Sequence, residues 1–528
     1  MKILKQRILF LSLASLSLIG CNDLVDLTPN GEVTKEVALG TLEGYEGSII
    51  GAYRAARDPY QSNPDCMYKN ANDDLIKGGI LVNDDAQVSA QARLNGAFNP
   101  DLGTTTRIWN SYLGGLNLCN TILANIDSAP GVNPNNAAQV ARINAVKGEA
   151  YFFRAYFHYN LIIQYDNIPL VDTPPNPNAS DFNVKPGDKA AIWALIESDL
   201  IKAKGLLPTT APKNGKLTQD TAGHLLAKTY LWEGKNAEAA ATAAEVINSG
   251  NHGLVPLNQV FSESYQGNKE ILLAWQFTKA EPGVSGEPTA ARTAQQYIPL
   301  YDRVQGVGRT FEQGGRPWAR LHPNTYYFSL FENTDGRLKA WHRTTWYFDG
   351  GTSDAPETLP SGVVKGDAVT TANVGAASGY GAEAITPTTW KYAESSTLGR
   401  TIGDAFGFKE VVEFRLAETY LVAAEGYMRS GNNALALQYI NKLRERAYGN
   451  STHNFTFINQ DILLDEQARE LGQEGKRWEM LKRLNLLVDR VKLYNPTAGV
   501  NIQPYHVRWP IPRSFVQLTG FPQNEGYN

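Results

Sequence analysis

The apolar positions change their period several times along the chain. Residues 8–18 are an almost unbroken run of Ile, Leu, Phe, Ala and Ser. From Leu42 onward, Tyr45, Ile49, Ala52 and Tyr53 fall at helical spacing. Trp109, Tyr112, Leu116, Asn120 and Leu123 repeat that pattern, and Asn144 to Tyr165 extends it as a long aromatic-rich helix stopping before Pro169. A further helix over 189–206 ends at Leu207-Pro208. Between the first two helices, Ser62 to Asp101 is rich in Asn and Asp and shows no period. Residues 250–412 lose the helical period too. Gly, Pro, Thr and Ser are frequent there, a strand is expected at 271–277, and the aromatic content is too high for a disordered linker. Helices resume at 414–430, 434–447 and 462–487. The tail, 491–528, reads as extended, because each Pro of Trp509-Pro-Ile-Pro512 restricts the residue before it.

Two segments share one spacing. Ala227-x2-Tyr230-x3-Gly234-x4-Ala239 recurs as Ala424-x2-Tyr427-x3-Gly431-x4-Ala436. The order of small residue, Tyr, turn Gly and small residue is that of a tetratricopeptide hairpin. The alanines let paired helices approach, Tyr fills the space between hairpins, and Gly takes the angles that end a helix. About 190 residues separate the two copies, so helical hairpins elsewhere are expected to supply the intervening stack. The fold class is therefore mainly α. Tetratricopeptide-like hairpins occupy 41–250 and 413–490, and a loop-rich insertion spans about 251–412, all within one unit from 41 to 528.

The N-terminal run sharpens the picture. Lys2, Lys5 and Arg7 precede the apolar stretch, which ends in Leu18-Ile19-Gly20-Cys21. This has the form of a secretory signal over 1–20, too short to span a bilayer as a mature helix. A small residue directly before Cys, three after a Leu, looks like a bacterial lipobox, which makes Cys21 the expected acylation site. Several acyl chains on one Cys anchor a protein stably. Residues 21–40 then read as a polar leader. Without the three leader cations the formal charge falls from −4 to −7, which argues against nucleic acid and favours a neutral ligand over an anionic polymer. Cys66 and Cys119 make no disulfide framework, and the balance leans to two unpaired thiols.

Several ordered segments resemble the SusD/RagB family of outer-membrane lipoproteins. They are Gly148-Glu-Ala-Tyr-Phe-Phe-Arg-Ala-Tyr156 leading to Tyr165-Asp-Asn-Ile-Pro-Leu170, then Leu225 to Leu231, and Phe414 to Leu421 with Ala424-Glu425. Ile440 to Arg446, Glu470-Leu-x2-Glu474-Gly475-x-Arg477-Trp478, Trp509 to Pro512 and Gln523 to Tyr527 complete the set. Two positions depart from the family pattern: Glu466-Gln467 stands where Glu-Arg is usual, and Glu479-Met480 follows Arg477-Trp478 where x-Asp is usual. The resemblance implies a helical, non-catalytic surface protein that binds oligosaccharides, or in some members peptides. It also implies a partner, a SusC-like TonB-dependent outer-membrane transporter, to which the ligand is handed. No cofactor or metal is implied.

The residues themselves carry no His-Glu-x-x-His, Walker loop, Gly-x-Ser-x-Gly or zinc-spaced Cys pair. His158 and His224 lie inside predicted helices, where packing is expected. Glu466, Glu470 and Glu474 recur every four residues, and paired carboxylates cleave glycosides at the right separation. Interleaved Arg469, Lys476, Arg477 and Lys482 favour a helix laced with ion pairs instead. Arg154 and Arg415, beside Glu149 and Glu418, read as structural clamps. A sugar site calls for aromatic platforms flanked by polar groups. The insertion supplies Tyr297, Tyr301, Trp318, Tyr326, Tyr327, Trp341, Trp346, Tyr347, Tyr380 and Trp390. Most should be core, with two or three lining the site. Tyr297, Tyr301, Trp318, Trp341 and Trp346 are the candidate platforms. Asn72 and Asp73 are the candidate hydrogen-bonding groups, from a stretch that also holds Asp74, Asn83, Asp84 and Asp85 and equally suits a solvated loop. These acids could hold Ca²⁺, but no EF-hand pattern supports it. The rival expectations are peptide capture, a lipid-anchored hydrolase, and a helical scaffold that recruits proteins.

Overall fold

The computed structural model describes residues 39–527, apart from 62–64, 130–132, 134, 177–183, 283–287, 352–358 and 375–378. Cys21 and the leader lie outside the described residues. Helix α1 (Leu42–Arg57) opens the scaffold, with the Thr41 hydroxyl accepting from the Gly44 N–H at 3.1 Å. Then come α2 (Gly103–Asn125), α3 (Ala137–Tyr165), α4 (Lys189–Leu206), α5 (Gln219–Trp232) and α6 (Asn236–Asn248). Each packs on the next in chain order, and α1 closes against α2 and α3. The expected limits of α4 and the expected end of α3 are met, whereas α3 begins at Ala137, seven residues before the expected Asn144. Asn136 and Asp188 cap α3 and α4, and Thr218 with Thr221 forms a capping box on α5.

The chain then leaves the stack for the insertion and returns as α7 (Leu416–Arg429) and α8 (Asn433–Tyr448). Helix α7 packs directly on α6. The two tetratricopeptide-like hairpins are thus immediate neighbours, and no helices intervene between them as the sequence separation suggested. Ala227, Leu231, Ala239 and Ala243 meet Val422 and Ala423 in one buried cluster. Gly426 is the contact point: a Cβ there would lie 2.7 Å from the Asn236 carbonyl oxygen and 2.8 Å from the Ala240 nitrogen.

The helix expected over 462–487 is three: α9 (Gln460–Leu471), α10 (Arg477–Arg483) and α11 (Leu487–Tyr494). Gln473 (φ +64°) and Gly475 (φ +76°) adopt left-handed backbone, and Asn485 (φ +57°) does the same before α11. The tail is irregular at Trp509 to Pro512, and a short helix follows at Arg513–Thr519.

The insertion holds short paired strands. Strand Ile271–Trp275 pairs antiparallel with Val411–Arg415, so its two ends are stitched together where it leaves and rejoins the stack. Strand Ile76–Gly78 pairs with Leu321–Pro323, which fastens the Asn- and Asp-rich stretch to the insertion. Among the described residues, no helix is long and apolar enough to cross a membrane.

Candidate functional site

Most of the aromatic and polar residues picked from the sequence lie in the interior. Asn72 donates to the Gln91 carbonyl at 3.3 Å, and Asp73 accepts from the Leu75 N–H at 2.8 Å. Asn72, Asp73 and Asp74 are buried, so this part of the stretch is no solvated loop, whereas Asn83 and Asp84 are exposed. Burial, with the Asp74 charge alongside, pushes the Asp73 carboxyl up to about 8. Tyr297 is fully buried and stacks on Tyr392, with ring centroids 5.8 Å apart. Tyr301 donates to the Gly315 carbonyl at 2.6 Å and stacks on Trp346, itself without exposed surface. The cause is the insertion's lack of long strands. Without a regular sheet, it builds its core from aromatic rings, and Tyr301, Trp346 and Phe348 join Val304 and Val307 in one cluster. As exposed platforms, Tyr297, Tyr301 and Trp346 are corrected to core. Trp318 is half-buried on the surface, with the Arg320 guanidinium 4.6 Å over its ring and Asp85 3.6 Å from that cation.

Trp341 has a different place. It is almost wholly buried, yet it forms the floor of a cleft of about 430 Å³. The half-buried rings of Phe261, Phe311 and Trp390 wall this cleft, and Glu263, Glu312, Ser395 and Thr397 supply a polar rim. The floor is fixed from behind. Trp341 Nε1 donates to the Leu257 carbonyl at 2.9 Å, the Trp390 N–H donates to the Trp341 carbonyl at 2.7 Å, and the Lys391 ammonium sits 4.8 Å over the Trp341 ring. The wall is fixed by Lys409, whose Nζ donates to the carbonyls of Phe261 (2.6 Å), Lys391 (2.9 Å) and Ala393 (2.9 Å). Burial lowers Lys409 to about 8. On the rim, Glu263 accepts from the Ser395 N–H at 2.6 Å and its hydroxyl at 2.9 Å. An apolar floor and walls under a few oriented oxygens suit a sugar ring, with its apolar face and peripheral hydroxyls. Phe261 and Phe311 were missed from the sequence because both stand in irregular segments, where no period marks a face.

Beneath the cleft lies a buried ion network. Glu470 receives Arg415 at 2.7 Å and Arg337 at 3.0 Å, and also Arg446. Glu466 receives Arg337 at 2.7 Å, Arg469 at 2.8 Å and Arg444 at 3.0 Å. Glu474, beyond the helix end, receives Arg415 at 2.7 Å and Lys391 at 2.6 Å. Burial would raise the Glu466 carboxyl, but Arg337, Arg469 and Arg444 hold it at about 2. Carboxylates clamped in this way cannot donate a proton near neutrality. The ion-pair expectation for these three holds, but the partners come from other elements as well as from the same helix. Arg154 likewise pairs with Asp199 at 2.7 Å rather than Glu149, and Arg415 serves Glu270, Glu470 and Glu474 rather than Glu418. His158 and His224 are packed, His224 against Thr419 (2.8 Å) and Glu418 (3.1 Å). Cys66 and Cys119 are buried and are not joined in a disulfide. Among the described residues, no group of three or more His, Cys, Asp or Glu is placed to hold a metal ion.

The chain matches two family models. One, described as starch-binding and associating with the outer membrane, covers residues 49–231, and the other, the SusD family, covers 290–527. SusD-like protein P2 of Formosa agariphila is 24% identical over 99% of this chain and 100% of its own length. A SusD homolog from Bacteroides thetaiotaomicron has the same fold, with a TM-score of 0.75 at 18% identity, over 94% of this chain and 99% of that one. A laminarin-binding SusD-like protein superposes with a TM-score of 0.71 at 22% identity, over 92% and 99% of the two chains.

Proposed function

The chain belongs to the SusD/RagB family, and on that premise we propose that it captures oligosaccharides at the cell surface and passes them, unaltered, to a SusC-like TonB-dependent transporter in the outer membrane. Cys21 would carry the lipid that holds it there. The observation that carries the reading is the cleft over Trp341. Three half-buried rings and a hydrogen-bonding rim meet in a volume that fits one or two sugar rings. Its walls are held by buried lysines and main-chain bonds, so the aromatic faces are set before a ligand arrives, which lowers the ordering cost of binding.

A hydrolase would need an acid and a base in this cleft. Glu263, Glu312 and Glu394 line it, and burial raises the carboxyl of Glu394. Its oxygens are taken, however, by the N–H groups of Phe408 (2.8 Å) and Lys409 (3.0 Å), which aim it into the wall. This supports binding without turnover.

The test is calorimetric titration of the full chain, in detergent, with neutral oligosaccharides and with peptides, followed by product sizing. A saturable glycan isotherm with unchanged chain length is expected. Trp390→Ala should weaken it about tenfold, near 1.4 kcal/mol, with the far-UV spectrum unchanged. Shortened products would overturn the non-catalytic reading. Full affinity in Trp390→Ala and in Phe261→Ala would move the site elsewhere.

A further inference from the structure

A second cleft, of about 630 Å³, lies between α1, the loop 213–216 and the end of strand Ile271–Trp275. Its lining differs in kind from that of the cleft over Trp341. Arg54, Arg57, Lys213 and Lys216 all face it, and among the described residues no carboxylate does. Ile50, Tyr53 and Trp275 make the apolar part. Two of the cations are built in. The Arg57 guanidinium donates to the Gln276 carbonyl at 2.7 Å and lies 5.5 Å over the Phe277 ring. Lys216 sits 4.7 Å over the Tyr53 ring and pairs with Glu149 at 2.7 Å. The other two, Arg54 and Lys213, are exposed and form no ion pair of 4 Å or less among the described residues.

The nearest carboxylates stand behind the wall. Glu149 is committed to Lys216 and to the Tyr53 hydroxyl at 2.7 Å. Glu410 is held by Gln276 at 2.9 Å and by the Gly267 N–H at 2.7 Å. Asp58, the third, lies towards Arg54, Arg57 and Arg107 on the other side of α1. The loop is shaped for close approach. Gly215 has φ +82°, and a Cβ there would meet the Gln276 side chain at 2.7 Å. A net acidic protein thus holds a concave surface of the opposite sign. Local charge in a cleft, not net charge, sets the field a ligand meets there.

We propose that this cleft is a second saccharide site, for a sugar that carries an acidic group, either a uronic carboxylate or a sulfate ester. The ring's apolar face would lie on Ile50, beside the Tyr53 ring that Lys216 covers, and the anion would sit between Arg54, Arg57 and Lys213. Guanidinium and ammonium groups form the stronger, charge-assisted bonds to such oxyanions. The site is separate from the cleft over Trp341 and stands without it.

The test is titration of the full chain with tri-galacturonate, its neutral methyl ester and a sulfated galactan trisaccharide, with sodium sulfate as competitor. The acid or the sulfate ester is expected to bind, and which of them does identifies the anion. The methyl ester should bind at least about tenfold more weakly, as expected when a hydrogen bond to a charged group is lost. The pair Arg54→Gln and Lys213→Gln should remove a similar factor, while neutral-glycan affinity and melting temperature stay the same. If the pair lowers the melting temperature, Lys213→Gln alone, on an exposed loop, carries the test. Equal binding of acid and ester, full affinity in the variant, or no binding of either anion at millimolar concentration would overturn the proposal. An intact neutral-glycan isotherm beside any of these results would leave the function proposed for the cleft over Trp341 standing.

Discussion

Two adjacent carboxyls, Asp73 and Asp74, are buried in the same turn and meet opposite surroundings. Burial works against the charge of both. Asp74 keeps its charge because Arg477 and Arg490 each reach it at 2.7 Å. Asp73 has the Leu75 N–H and, beside it, the Asp74 anion, so its carboxyl moves from 3.8 to about 8. A raised carboxyl favours folding fully below its unfolded value, and that contribution is lost as pH climbs from about 4 to about 8. Asp73→Asn keeps the acceptor for Leu75 and cannot ionise. Its stability relative to the native chain should therefore rise between pH 5 and pH 8, as read from urea midpoints at the two pH values. Parallel pH dependence in both proteins would show that Asp73 is ionised when folded. At this scale the sequence tells least. Trp341, Trp346 and Trp390 all fall in the stretch without helical period, yet one ends the short helix Gly336–Trp341 as a cleft floor, one is core and one is a cleft wall. What separates them is which distant segment covers each ring, and no local pattern encodes that.

At the scale of elements, periodicity and caps located the scaffold helices well, and they failed where left-handed residues break a continuous pattern. Gln473 carries a side chain at φ +64° and gives no such signal in sequence, so 462–487 reads as one helix. Glycines inside helices divide by what faces them. Gly114 has nothing within 4 Å of its missing Cβ. At Gly115 a Cβ would lie 2.3 Å from the Phe157 ring, and at Gly426 it would meet the α6 backbone. Gly114→Ala should stabilise by about 0.5–1 kcal/mol through reduced chain freedom. Gly426→Ala should destabilise by about 1–3 kcal/mol, since two backbones must separate. Denaturant midpoints of the two variants give both numbers, and a gain at Gly426 would refute the close helix contact.

At the scale of the whole molecule, the insertion is held to the helical stack by charge as well as by apolar packing. Asp335, Arg337 and Lys391 come from the insertion, and Glu466, Glu470 and Glu474 come from α9 and the turn after it. Each partner is buried, so removing one leaves an uncompensated charge, which costs about 3–5 kcal/mol. Arg337→Met should lose about that much stability. Unfolding followed by hydrogen exchange, read separately over peptides of the insertion and of the helical stack, should coincide in the native chain. Separate transitions in the native chain would mean that the insertion is an independent unit. The helical class and the irregular insertion were both legible in the sequence. The direct contact between the two hairpins was not, because spacing along a chain carries no information on where a long excursion returns.

That contact between α6 and α7 also bears on how the molecule forms. About 170 residues separate the two helices along the chain, and closing so long a loop must precede the contacts that reward it. Synthesis delivers α6 well before α7, so for that interval the face of Ala239 and Ala243 is bare. A chain that crosses a membrane N-terminus first would have to shield this face, or keep it unfolded, until residue 429 has emerged. Of the contacts made by α1 to α6, the joint with α7 is then the last able to close, and α8 follows it.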